Sequence, residues 1–116
     1  MKGQFKFGNP FVALEIENTK IELMLDTGFN GEIILPERTI KKLSLKQIGF
    51  SDYLTASGEE KVTKVYIAKV KVFDEEKDVA VLTTSADFSL GGMELFHKCK
   101  IVIERYKNFV EVMKAE

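Results

Sequence analysis

Residues 21–31, IELMLDTGFNG, carry the residue types in this sequence that are best suited to chemistry. An apolar run ends there in Asp26, and Thr27 and Gly28 follow it directly. A carboxylate at the edge of a buried strand can act as a general acid or base, and hydrolysis by this route requires a second carboxylate. The chain has a single Asp-Thr-Gly triplet. The sequence therefore leaves open whether Asp26 has a chemical role or only begins a turn.

A turn is the simplest interpretation of the triplet. An Asp side chain accepts hydrogen bonds from nearby backbone N–H groups, and glycine is common in turns. The flanking sequence argues for more, because a second apolar run, Ile-Ile-Leu at residues 33–35, follows soon after the triplet. A carboxylate between two buried strands is costly unless it is fully hydrogen-bonded or has a chemical function.

The composition is that of an ordinary globular protein. The chain has 116 residues, of which 45% are apolar and 30% are charged, and residues 1–116 are interpreted as one domain. Its 17 basic and 18 acidic residues give a formal net charge of -1, which argues against a nucleic-acid partner.

Cysteine and histidine are too rare to build a metal site. Cys99 and His97 are the single cysteine and the single histidine, so neither a disulfide nor a Cys/His zinc site is available within one chain. We expect no metal and no cofactor. The N-terminal residues lack the apolar core of a secretion signal, and no apolar run reaches the roughly 18 residues of a membrane span. We therefore expect a cytoplasmic protein with no membrane contact.

The elements that must position Asp26 are mostly strands. Alternation of apolar and polar residues predicts strands at residues 11–16, 21–25, 32–36, 53–56, 61–73, 77–84, 100–104 and 109–113. Two short helices are predicted at residues 36–45, where Pro36 suits the first helical position, and at residues 91–99. The apolar positions of residues 61–73 change phase near residues 66–69, which indicates a bend or bulge. Many short strands favour a barrel or a sandwich.

Three segments together resemble the retropepsin-like aspartic proteases, the single-domain relatives of the pepsin group. They are LMLDTG at residues 23–28, the glycine-containing hairpin TASGEE at residues 55–60, and SLGGMELF at residues 89–96. Their order and spacing and the length of the chain fit the family, and the resemblance covers most of the chain. The phenylalanine after the triplet is similar to a stand-alone prokaryotic-type subgroup that carries DTGF.

The resemblance implies a fold, an activity and a partner. The fold is an all-β closed barrel of short strands with one or two short helices, and the protein acts as a homodimer. The activity is hydrolysis of peptide bonds in an extended peptide or protein substrate. Each protomer supplies one Asp26, since each chain has one triplet. One carboxylate of the pair takes a proton from a water, and the other, protonated, donates to the substrate carbonyl.

The same resemblance assigns roles to neighbouring residues. The Thr27 hydroxyl hydrogen-bonds across the two-fold axis, and the Gly28 backbone lies close to the substrate. Gly92 lets the C-terminal helix pack behind the catalytic loop. The mid-chain hairpin closes over the substrate as a flap, with its tip at Ala56, Ser57 and Gly58.

The sequence also departs from the family. Many retroviral members carry a small residue after the triplet, followed by an Asp that pairs with an Arg at the start of the C-terminal helix. Here these three positions are Phe29, Asn30 and Met93. That ion pair cannot form, so other contacts must replace it.

Alternative functions follow from the same residues. A catalytically weak or inactive domain of this fold could bind peptides or protein partners, and a structural β-domain unrelated to the family is a third reading. His97 and Cys99 lie two residues apart but have no third residue to orient them as a nucleophilic pair. We expect Cys99 to be a small buried apolar residue.

Overall fold

The computed structural model describes residues 1–54 and 57–115. Its strands are β1 (Gln4–Lys6), β2 (Asn9–Ile16), β3 (Thr19–Leu25), β4 (Ile33–Pro36), β5 (Lys46–Leu54), β6 (Glu60–Val72), β7 (Glu75–Thr84), β8 (Leu90–Gly91), β9 (Cys99–Glu104) and β10 (Phe109–Lys114). The helices are α1 (Glu37–Lys42) and two 3₁₀ helices, Met93–Phe96 and Arg105–Lys107. Within these residues no helix has the length and apolar character to cross a bilayer.

The strands close into a barrel. Around the ring the order is β2, β3, β8, β4, β7 and β6, and β6 pairs again with β2 through Ile16 opposite Val70. β1 extends the sheet beyond β2, and β5 extends it beyond β6. β9 and β10 form a separate two-stranded ribbon, in which β10 also contacts the N-terminal residues through a bridge from Lys2 to Glu111. The predicted all-β closed barrel is confirmed.

The short strand β8 brings β3 and β4 to either side of one position. Gly91 pairs with Leu25 in a parallel ladder and with Ile33 in an antiparallel ladder. The chain between the end of β3 and the start of β4 is residues 26–32. This loop therefore has to pass around Gly91 and Gly92, and it contains the triplet.

Two apolar clusters fill the structure. The larger one is the barrel core, and its fully buried side chains include Val12, Ile16, Leu23, Ile33, Leu35, Val70, Val81 and Leu95. The smaller cluster consists of Ile34, Val65, Leu82 and Leu90, with Met24, Phe29 and Ala80 packed against it.

The phase change predicted in β6 is real, but its structural cause differs. Val65 belongs to the smaller cluster, whereas Ala68 and Val70 face the barrel core. The register of β6 with β7 is continuous across this region. The extra residue of the bulge lies in β5, between Gln47 and Gly49, so the prediction placed it on the wrong strand.

Other elements differ from prediction because their periodicity is short or weak. β1 and β8 are too short to produce a pattern, and β5 begins seven residues earlier than predicted because much of it is exposed. Pro36 was predicted as the first helical residue of α1, but it has extended backbone and is the N-cap, so the helix begins at Glu37. The predicted second helix is a single 3₁₀ turn at Met93–Phe96.

The closing pair of the barrel generates a stability prediction. Ile16 is 0% exposed, whereas Ile48 in β5 is 55% exposed. Ile16→Ala should lower the free energy of unfolding by about 2–5 kcal/mol, because it removes buried methyl groups and leaves a cavity. Ile48→Ala, the same change at a surface site, should alter it by less than about 0.5 kcal/mol. Urea unfolding followed by circular dichroism measures both, and equal losses would contradict the assignment of Ile16 to the core.

Candidate active site

The Asp26 turn is held by backbone and side-chain hydrogen bonds. The Asp26 N–H donates to the Gly91 carbonyl at 3.0 Å, and the Asp26 carbonyl accepts from the Phe29 N–H at 3.2 Å. The Gly28 N–H donates to Oδ1 of Asp26 at 2.9 Å. This is the only hydrogen bond to the Asp26 carboxylate within residues 1–54 and 57–115. The turn thus fixes Oδ1 of Asp26, and Oδ2 accepts no hydrogen bond from the described residues.

The rest of the loop is bound to the start of the 3₁₀ helix. Three successive N–H groups donate to loop carbonyls: Gly92 to Glu32 at 2.8 Å, Met93 to Phe29 at 2.9 Å, and Glu94 to Gly31 at 3.2 Å. The first N–H groups of a helix have no partner within it, so the loop satisfies them. The loop and the helix start therefore form one hydrogen-bonded unit.

Glu32 fastens the end of the loop to the barrel. Its side chain accepts a hydrogen bond from the Ala80 N–H at 3.0 Å, and Ala80 lies in β7. The loop is consequently held at both ends, by Gly91 at the start and by β7 at the end.

Gly92 is the point of closest packing between loop and helix. A Cβ on Gly92 would lie 2.3 Å from the Gly31 carbonyl oxygen and 2.7 Å from that of Phe29. Side chains do not approach backbone oxygens so closely, so only glycine fits. Gly92 thus lies directly against the loop that follows the triplet.

A groove of about 1220 Å³ runs from Asp26 towards the β5–β6 hairpin. The apolar side chains Ile34, Val65, Leu82 and Leu90 line it. Gly28 and Phe29 line it beside Asp26, and it also contains Glu32, Asp52, Glu60, Lys61 and Glu94. The groove is thus an apolar channel with charged groups around it and one carboxylate presented by a turn, which suits an extended chain with apolar side chains.

The hairpin of β5 and β6 stands beside the groove. The two strands pair as far as Leu54 and Glu60, which is the last pair before the tip. Of the predicted flap residues, Ala56 lies outside the described residues, and Ser57 and Gly58 are exposed at the tip, with Gly58 at a φ of +84°.

The hairpin residues on the groove wall come from its strands, and sequence reasoning had singled out Glu60 among them, in the hairpin segment of residues 55–60, but not the others. Within the described part of the chain they are Ser51, Asp52, Glu60, Lys61 and Val65. Alternation from the buried Val65 places Lys61 on the same face of β6, and the register of β5 with β6 places Ser51 on that face too. Asp52 and Glu60 have the opposite parity, so alternation does not find them.

The other predicted residues lie in different places. Thr27 is exposed next to Asp26 and is not among the residues that line the groove in the described structure. Cys99 is partly buried, less than predicted; it packs against the barrel core, and this burial raises the pKa of its thiol. His97 is exposed, and Nδ1 lies 3.3 Å from the carbonyl of Glu94. His97 and Cys99 therefore do not form a nucleophilic pair at the groove.

Residues 12–107 match the family model described as gag-polyprotein putative aspartyl protease. The chain belongs to this family. A curated relative in Rickettsia prowazekii (strain Madrid E), the uncharacterized protein RP867, is 32% identical over 107 residues. These residues are 88% of this chain and 43% of the relative, so the chain spans less than half the length of that protein.

Solved structures of aspartic proteases have the same fold. A retropepsin-like aspartic protease from Rickettsia conorii superposes with a TM-score of 0.72 at 27% identity, covering 98% of this chain and 88% of that one. EIAV protease, in a complex with the inhibitor HBY-793, superposes with a TM-score of 0.66 at 15% identity over 77% of this chain and 86% of that one, a likeness of fold alone. The chain is a retropepsin-like member of the family, as its three motifs indicated.

The packing at Gly92 generates a prediction with a matched control. Gly92→Ala should destabilise the protein by about 1–3 kcal/mol or more, because the new methyl group meets backbone that cannot rotate away. Gly49 in β5 has no atom within 4 Å of the position of an added Cβ. Gly49→Ala should change stability by less than about 1 kcal/mol. Thermal unfolding of the two variants is the measurement, and a harmless Gly92→Ala would contradict the close packing described here.

Proposed function

We propose that this protease-family member is an aspartic endopeptidase that works as a homodimer, with one Asp26 from each protomer. The observation that carries the proposal is the placement of the Asp26 carboxylate on the groove wall, with one oxygen fixed by the Gly28 N–H at 2.9 Å. A rigid turn beside an apolar groove is a suitable setting for an acid–base group.

The need for a second copy follows from the chemistry. Two carboxylates that share a proton lie close together, at about 3 Å in aspartic proteases generally. Within the described residues no other carboxylate hydrogen-bonds to Asp26. Among the residues that the structure describes, four more acids line the groove, and none of them belongs to an Asp-Thr-Gly turn: Glu32, Asp52, Glu60 and Glu94. Thr27 and Gly28 are exposed beside Asp26, which leaves the turn accessible to an identical chain.

In the proposed reaction the two carboxylates have different protonation states. The ionised carboxylate removes a proton from a water whose oxygen attacks the carbonyl carbon of the peptide bond. The protonated carboxyl donates its proton to the carbonyl oxygen, so a neutral tetrahedral intermediate forms. The C–N bond then breaks as the nitrogen receives the proton of the pair, while one hydroxyl of the intermediate returns a proton to the other carboxylate, and the products are a carboxylic acid and an amine.

The proposed substrate is an extended stretch of peptide or unfolded protein. An extended peptide can lie beside strand edges through its backbone while alternate side chains enter the apolar part of the groove. The β5–β6 hairpin would cover it and exclude water. The Thr63 hydroxyl donates to the Thr83 carbonyl at 2.9 Å, which anchors the base of this hairpin on β7.

A second function rests on the same groove without the chemistry. A single chain brings one catalytic-type turn to the groove, so a protein that stays monomeric would bind peptides and not cleave them. The two proposals share the substrate and differ in oligomeric state and turnover.

Substitution of Asp26 tests the catalytic role. Asp26→Asn should lower the cleavage rate of an unstructured protein by about 100-fold or more at every pH, because the amide cannot take part in proton transfer. The matched control is Asp78→Asn, an exposed aspartate of β7 that lies outside the groove lining. The wild-type rate should pass through a maximum with pH, since a coupled pair is active with one proton bound. Equal rates for Asp26→Asn and wild type would contradict the proposal.

Mixing experiments test the shared site. If each active unit needs two intact chains, a ninefold excess of Asp26→Asn over wild type should reduce the activity per wild-type chain about tenfold by forming mixed dimers. A ninefold excess of Asp78→Asn should not. Dilution of the wild type should lower its specific activity, with sedimentation reporting the dimer fraction. Activity that is proportional to wild-type concentration in every mixture would point to a monomeric enzyme.

A further inference from the structure

Phe29, directly after the triplet, lies between the two segments that hold Asp26. Its ring is partly buried against the smaller apolar cluster. A Cβ on Gly31 would lie 2.4 Å from Cζ of Phe29, and one on Gly92 would lie 2.6 Å from Cδ2. The ring therefore occupies the space above both glycines, where an added Cβ would meet it.

The backbone of Phe29 joins the same two segments. Its N–H donates to the Asp26 carbonyl at 3.2 Å and closes the turn. Its carbonyl accepts from the Met93 N–H at 2.9 Å, at the start of the 3₁₀ helix. One residue thus contacts the Asp26 turn and the helix through its main chain, and Gly31 and Gly92 through its ring.

Within the described residues, no ion pair holds the loop against the 3₁₀ helix. Asn30 is exposed, Met93 is uncharged, and none of the salt bridges joins the loop of residues 26–32 to the 3₁₀ helix. The hydrogen bonds between loop and helix are backbone bonds, and the Phe29 ring packs beside them in the space above Gly31 and Gly92.

We propose that Phe29 is a positioning residue, whose ring fixes the loop of residues 26–32 against Gly92 and so sets the orientation of the Asp26 carboxylate. Its effect on catalysis rests on the proposed function, whereas its effect on the loop does not. A displacement of about 1 Å at a reacting group can cost about 100-fold in rate, so loss of the ring should act on turnover.

A pair of double variants tests the packing without any assay of activity. The three atoms nearest to a Cβ on Gly31 all belong to the Phe29 ring, so Phe29→Ala should remove the clash that Gly31→Ala creates. A Cβ on Gly92 also meets the Gly31 carbonyl oxygen, which Phe29→Ala leaves in place. Thermal unfolding should show that Gly31→Ala adds no loss in the Phe29→Ala background, whereas Gly92→Ala remains destabilising there. Equal additivity of both glycine variants would overturn the proposal.

Amide hydrogen exchange tests the positioning. The Gly28 N–H bonds to the Asp26 carboxylate and the Met93 N–H bonds to Phe29, so both should exchange at least tenfold faster in Phe29→Ala. The matched control is Phe88→Ala, which removes another ring from the groove lining and should leave both rates unchanged. Phe29→Leu retains part of the apolar volume and should give an intermediate result. It also replaces Phe29→Ala in every comparison if that variant does not fold.

Kinetics separates positioning from substrate contact. In Phe29→Ala kcat should fall at least tenfold with KM changed less than threefold, and Phe29→Leu should recover part of the loss. A rise in KM alone, with unchanged exchange at Gly28 and Met93, would make Phe29 a substrate contact and overturn the proposal. If the wild type cleaves nothing, the proposed function fails, and the unfolding and exchange results still decide the role of Phe29.

Discussion

The structure around the groove depends on one close approach, that of Gly92 to the loop of residues 26–32. β8 lies between β3 and β4, so the loop that connects these strands must pass over the end of β8. The passage is possible because Gly92 has no side chain to separate it from the Gly31 and Phe29 carbonyl oxygens. The loop can then take up the free N–H groups at the start of the 3₁₀ helix. Steric space and backbone hydrogen bonding thus impose the same arrangement.

This arrangement explains how a turn can present a carboxylate. A solvent-exposed Asp turn alone would move freely, and its acid would have no defined direction. Here the start of the loop is fixed by the hydrogen bond from the Asp26 N–H to the Gly91 carbonyl. Its end is fixed by the hydrogen bond from the Ala80 N–H of β7 to the Glu32 side chain. The barrel core below is closed by the pairing of β2 with β6, so these anchors belong to one continuous sheet. The rigidity of the site is therefore a property of the barrel as much as of the triplet.

The parts that could be predicted from sequence are those in which one face of a strand is buried. Leu14 and Ile16 are buried and alternate with Glu15 and Glu17, and their strand and its hairpin follow directly. β8 could not be found this way, since two residues carry no period, yet it determines where the loop goes. Much of β5 was missed for a different reason. It lies at the edge of the sheet, where Ile48 and Phe50 are exposed, so alternation does not reveal it.

The candidate site likewise contains residues that could be predicted from sequence and residues that could not. The triplet is recognisable from its residues as a turn, whereas the packing role of Gly92 was implied by the family resemblance and its close approach is seen in the structure. The groove wall from the hairpin depends on register between β5 and β6, and a one-residue bulge in β5 moves every later side chain to the opposite face. Such residues cannot be read from a motif.

The single triplet and its exposed turn suggest how the activity of the proposed dimer would be controlled. An isolated chain presents an Asp26 whose carboxylate has one hydrogen bond from the described residues, and nothing there requires it to share a proton. In the proposed dimer the Asp26 carboxylate of the partner lies beside the first one. The two then share a proton, because two adjacent negative charges are costly and one proton between them relieves the cost. The acid–base pair would then exist only when two chains meet. A protein built this way needs no separate inhibitor to stay inactive at low concentration, since the equilibrium of association sets how much of the pair is present.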